Sequence, residues 1–144
     1  MAKRMTVDML AAEIGQALGA RLVSLLLFGS AARGSRGEGD QAARVDTLLI
    51  SDAVDEALLG ALEPIIARWV GQGQPGPLIL TRAEWREAAD AFPIEYDDIR
   101  HAHRLLAGQD PWEGVVVRRE DVRRHLEHEL RGKVVRLRQV YAAF

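Results

Sequence analysis

Residues 25–34 read LLLFGSAARG, and this stretch decides the fold because a run of large apolar side chains passes directly into a turn of small ones. Leu25 to Phe28 read as the end of a buried strand, Gly29-Ser30 as the turn, and Ala31 to Gly34 as a short helix closed by glycine. A strand that feeds a helix through Gly-Ser aims free backbone N–H groups, a hydroxyl and the positive end of the helix dipole at one point. Phosphate suits that point.

Upstream, Thr6 is placed to cap a helix whose apolar residues Met9, Leu10, Ile14 and Leu18 recur at helical spacing, and Gly19 ends it. Arg21 to Phe28 then reads as a strand apolar on both faces, which makes it central in a sheet covered on both sides. Downstream, Ser35 to Ala43 (SRGEGDQAA) is glycine-rich and polar, hence a loop, and Arg44 to Ile50 (RVDTLLI) reads as a second strand. Asp55 to Trp69 follows as an amphipathic helix with Leu58, Leu62, Ile65, Ile66 and Trp69 on one stripe. GQGQPGP is a turn, Leu78 to Leu80 a short strand, and Thr81 caps a helix from Arg82 to about Asp90 with Glu84 in its first turn. Pro93 keeps the residue before it out of the helical region, so Phe92 to Ile99 is expected to be extended at its start. His101 to Ala107 reads as helix, stopped by Gly108. Val115 to Val117 reads as a last short strand or an apolar lead into a long helix from Glu120 to Tyr141. That helix shows Val122, Leu126, Leu130, Val134, Leu137 and Tyr141 at steps of three and four.

The chain has 144 residues, 48% of them hydrophobic, which is enough for one compact core. Cysteine is absent, so a disulfide framework, a thiol nucleophile and a cysteine zinc site are excluded. Neither a signal-peptide core nor a membrane-length apolar run is present, and a cytoplasmic location is expected. From Arg118 onward eight basic residues face four acidic ones, while the remainder is acidic by six. That bias is weaker than a nucleic-acid-binding protein would show, so nucleic acid is not the expected partner. Alternating strands and helices, without internal repeats, argue for a mixed α/β or α+β domain rather than a bundle.

FGSAARG resembles the Gly-Ser signature of the nucleotidyltransferase superfamily, the fold of DNA polymerase beta, the kanamycin nucleotidyltransferases and small bacterial antitoxin-type nucleotidyltransferases. PIEYDDIR, 93–100, is similar to the family segment that carries a third carboxylate, and HRLLAGQDPW, 103–112, to a phrase that closes many of these domains. The resemblance implies an α+β fold, a mixed sheet flanked by helices, over residues 1–118. Residues 119–144 are then a C-terminal helix on the domain or on a partner. It also implies that Gly29, Ser30 and Arg33 hold the phosphates of a nucleoside triphosphate, and that Asp46 and Glu95, helped by Asp40, hold Mg2+.

The chemistry tests that inheritance. Nucleotidyl transfer needs two close divalent cations, one activating the attacking hydroxyl and one gripping the triphosphate. Magnesium takes carboxylate ligands, and two of them share one face of a strand when they stand two residues apart, which is the physical basis of Asp-x-Asp. Here the strand offers Asp46 alone. If Asp46 is the second of the pair, Arg44 replaces the first and repels a metal; if it is the first, Leu48 replaces the second and cannot ligate one.

The chain is therefore expected to be a degenerate nucleotidyltransferase-fold protein, keeping at most nucleotide or phosphate binding and acting through protein contacts. The rivals are a working Mg2+-dependent enzyme that moves a nucleoside monophosphate to a hydroxyl, with Asp46 and Glu95 catalytic, and a pure interaction module. Other motifs fail earlier. Gly29-x4-Gly34-Ser35 lacks the P-loop lysine, Gly37-x-Gly39 lacks the third glycine of a dinucleotide fingerprint, and there is no Gly-x-Ser-x-Gly elbow. His101 and His103 diverge if helical. His125 and His128 have no carboxylate evident in sequence to complete a zinc site. The C-terminal helix has no stop signal, and Val135, Val140 and Phe144 lie off its main stripe. A homodimer through 119–144, or docking of a missing C-terminal segment there, is the expected consequence.

Overall fold

The computed structural model describes residues 4–29, 32 and 44–142. Its elements in chain order are α1 (Val7–Leu18), a short turn of 3-10 helix (Gly19–Arg21), β1 (Leu22–Phe28), β2 (Asp46–Ser51), α2 (Glu56–Gly71), β3 (Leu78–Thr81), α3 (Arg82–Glu87), α4 (Pro93–His101), β4 (His103–Gly108) and α5 (Arg119–Ala142). The strands form one sheet in the order β3-β2-β1-β4. β1 is antiparallel to both β2 and β4, while β2 and β3 run parallel. The fold is thus α+β, with a long C-terminal helix.

β1 is central and buried on both faces. Leu25 and Leu27 join α1 and α2 residues such as Leu10, Ile14, Leu58, Leu62 and Trp69 in one core. Leu26 and Val23 join Leu48, Ile50, Trp85, Tyr96 and Ile99 in the other, beneath α3 and α4. Val23 keeps company with Leu26 because the pairing with β2 shifts register between Leu22 and Ser24, and such an irregularity resets the in-out alternation. Each leucine fully buried there contributes on the order of 2 kcal/mol, which makes β1 the least replaceable element.

Local signals decide the helix starts. The Thr6 hydroxyl accepts from the Met9 N–H at 3.2 Å, and the Asp55 carboxylate accepts from the Leu58 N–H at 2.9 Å. Thr81 and Glu84 form a reciprocal capping box at α3.

Two segments differ from the sequence reading, and a third takes the second of its two alternatives. Phe92 stays out of the helical region, as Pro93 requires, but at φ −128° and ψ 54° it is not extended, and Pro93 itself opens α4 as its first helical residue, a position that costs no hydrogen bond. His103 to Gly108 is strand rather than helix, because β1 supplies ladder partners that the local pattern of His-Arg-Leu-Leu-Ala does not reveal. Val115 to Val117 forms no strand; Val115 is buried in the second core as a lead into α5. The short helix expected after Gly29-Ser30 and the loop 35–43 fall almost wholly outside the described residues. There, the Ala32 N–H donates to the Gly29 carbonyl at 3.1 Å, closing a turn.

Candidate functional site

β1 ends beside the starts of β2 and β4, with Phe28 paired to Asp46 on one flank and to His103 on the other. Cross-strand partners share a face, so this row stands at the mouth of the sheet on the side of α3 and α4. Gly29 follows Phe28 at φ 80° and turns the chain away. Its N–H donates to the Ala102 carbonyl at 3.3 Å, and a Cβ built on it would lie 3.3 Å from Oδ2 of Asp46. The first residue of the Gly-Ser turn and the strand carboxylate are therefore neighbours.

Asp46 is engaged. Arg44, two residues earlier and just ahead of β2, donates through Nε to Asp46 Oδ1 at 2.8 Å. The arginine side chain is 72% exposed and the carboxylate 23%, so the pair sits at the surface of the mouth rather than inside the core. Leu48, the other candidate for the missing carboxylate, is buried with Trp85 and Tyr96. Of these positions, 44 and 46 are open to a ligand and 48 is not. Ser30, Arg33 and Asp40 lie outside the described residues.

Glu95 is exposed in the first turn of α4, a helix rather than the strand that the family segment implies. Among the described residues, three metal-capable side chains whose ligand atoms lie within 4.8 Å of one another are Glu95, His125 and Glu129. The sequence reading named His125 but not Glu129. Its only local signal was the spacing of four between the two, and the third member came from tertiary packing. His101 and His103 do diverge. His101 Nδ1 meets the Asp97 carbonyl at 2.7 Å, whereas His103 Nδ1 meets the Ile99 carbonyl at 3.0 Å and its ring tilts against Trp112.

Beneath the site, Trp85 stacks on Tyr96 and meets Trp112 edge-on, with ring centroids 4.2 and 5.2 Å apart. The Tyr96 hydroxyl donates to the Trp85 carbonyl, and burial pushes its pKa up to about 12. This cluster is a support that fixes α3 and α4 under the mouth. Away from it, the Arg21 guanidinium hydrogen-bonds Asp55 and holds that carboxyl below its ordinary range.

No family model matches the chain, and no curated protein does. Among solved structures it is similar to a chain in the crystal structure of a toxin-antitoxin with AMP-PNP, at 14% identity and a TM-score of 0.51, covering 92% of this chain and 98% of that one. A second similar chain comes from a mutant of the toxin-antitoxin MntA-HpeT, at 13% identity and a TM-score of 0.49, with 92% and 98% covered. At such identity the first likeness speaks for the fold alone, a four-stranded mixed sheet with flanking helices and a long C-terminal helix.

Proposed function

We propose that this chain is a nucleotidyltransferase-fold protein without transfer activity, which keeps at most a nucleotide or phosphate site at the Gly29 turn and acts through protein contacts. The observation that carries this reading is the Arg44–Asp46 pair. A two-metal centre needs carboxylates converging on the cations; here the one strand carboxylate faces a guanidinium that is always charged and fills the space a cation would take. The described donor set does not fit a pair of magnesium ions, and no catalytic step is derived through them.

The same arginine suits an anion. Its guanidinium carries five N–H donors and spends one on Asp46, which leaves the rest of the fork for phosphate oxygens beside the turn. Protein contact is supported by α5, whose apolar residues face outward, and by the toxin-antitoxin with AMP-PNP as a structure of the same fold. Calorimetry with ATP tests the reading: binding that is unchanged by Mg2+ and weakened in Arg44→Ala is expected. Tight binding only with Mg2+, together with incorporation of labelled nucleotide that Asp46→Ala abolishes, would establish the enzyme instead. No ATP binding under either condition would leave the interaction module.

A further inference from the structure

We propose that Glu95, His125 and Glu129 form a site for one divalent transition-metal ion, zinc above all, that ties the base of α5 to α4. This does not rest on the nucleotide reading, and it gives Glu95 a partner set remote in sequence from the Gly-Ser turn. The two helices already pack against each other. His125 and Glu129 stand one helical turn apart on α5, so both side chains leave the helix on one face. Their Nε2 and Oε1 atoms are 3.4 Å apart. Four ligands at about 2.1 Å from a tetrahedral zinc are separated by about 3.4 Å, so this pair has the edge length of such a site before any ion enters. Glu95 brings the third ligand atom from α4, within 4.8 Å of the other two. A rotation of one exposed glutamate side chain closes the remainder.

The donor set selects the ion. One imidazole nitrogen with two carboxylate oxygens favours zinc over magnesium or calcium, which prefer oxygen alone. Three protein ligands leave a fourth position for water. His125 is partly buried, its side chain 32% exposed, while Glu129 is exposed, so the site strands no charge in the core. The charges also balance: two carboxylates neutralise the dication, whereas in its absence they repel each other across the α4–α5 contact. Binding would therefore stiffen the root of α5, the place from which the rest of that helix projects. Neither the sequence nor the sheet requires these residues to meet, because 30 positions separate Glu95 from His125.

The test is titration of the intact chain with Zn2+ in chelator-free buffer, read by calorimetry, and with Co2+, read by visible absorption. One ion per chain is expected, with the intense visible bands of four-coordinate cobalt. Glu95→Gln and Glu129→Gln should each weaken binding at least about tenfold, since even groups behind the ligands cost that much. His125→Ala should abolish the cobalt bands, and His128→Ala should leave them. The glutamate variants are isosteric and lie on exposed side chains, and circular dichroism verifies that they fold. Absence of saturable binding, binding that survives both Glu95→Gln and His125→Ala, or loss in His128→Ala alone would overturn the site.

Discussion

At the scale of single residues, the decisive competition is between two cations for one carboxylate. Arg44 is covalently held two residues from Asp46 and reaches it at 2.8 Å, so a magnesium ion must displace a neighbour that never leaves. The exposed pair itself adds less than about 1 kcal/mol to stability; its consequence is chemical. Arg44→Asp should therefore place two carboxylates two residues apart, and Mn2+ binding at the mouth should appear in calorimetry of a His125→Ala background that removes the α4–α5 site. No gain of binding in that variant would mean that the mouth is unsuited to metal for reasons other than Arg44. A second residue sets an alkaline limit. Tyr96 has its folded pKa raised to about 12 by burial, above an unfolded value of about 10. Its neutral form is the stable one, so the contribution is complete below pH of about 10 and is lost as pH climbs toward 12. Urea midpoints should fall across that window in the parent and fall less in Tyr96→Phe. Parallel pH profiles for the two proteins would remove Tyr96 from the account.

At the scale of elements, β4 shows how a local reading fails. Its six residues alternate poorly and would serve a helix as well, and the glycine that ends them looks like a helix stop. The structure uses Gly108 for close approach instead. It sits at φ 84°, and an added Cβ would come within 2.2 Å of the Val23 carbonyl oxygen. The neighbouring Gln109 N–H donates to that same carbonyl at 2.7 Å, and the Ser24 hydroxyl donates to the Gln109 carbonyl at 2.6 Å. Gly108→Ala should then cost roughly 2 to 4 kcal/mol through backbone strain and overpacking, seen as a lower urea midpoint; an unchanged midpoint would show that β4 is not seated on β1 in this way. What was legible beforehand follows the same division between local and distant. Thr6 and Thr81 act on N–H groups three residues away, and the centrality of β1 is written in its own apolar run. Arg44 and Asp46 were legible as neighbours because only one residue separates them, although β2 itself begins at Asp46. The β4 pairing and the meeting of Glu95 with His125 depend on partners far along the chain, which no window of sequence contains.

At the scale of the whole molecule, α5 is the unresolved term in the balance of buried surface. The stripe Val122, Leu126, Leu130, Val134, Leu137 and Tyr141 was expected on the domain or on a partner; Val122 is half-buried, but the other five are 47%, 54%, 46%, 69% and 83% exposed. Among the described residues of the helix, partial burial is confined to Asp121, Val122 and His125 in its first turns. The 24-residue helix is about 36 Å long, and the exposed residues recur at steps of four, four, three and four, the spacing of a seam that another helix fills. Val135 and Val140, 64% and 48% exposed, widen that seam. A monomer would leave this surface in water, which folded chains rarely tolerate over so long a patch. The basic residues Arg131, Lys133, Arg136 and Arg138 flank it and oppose parallel pairing with a second copy. An antiparallel two-fold pair sets them instead against Glu120, Asp121, Glu127 and Glu129 of the other helix. Self-association through α5 at micromolar concentration is the expected outcome in sedimentation. Leu130→Glu with Leu137→Glu should return the chain to a monomer while circular dichroism and the urea midpoint of the domain stay as they were, because neither side chain belongs to the two cores. Exchanging Arg136 and Arg138 for glutamate should weaken an antiparallel pair by placing acid against acid. A parent chain that remains monomeric, and is no more soluble after the double leucine change, would rule out a second copy as the occupant of the seam.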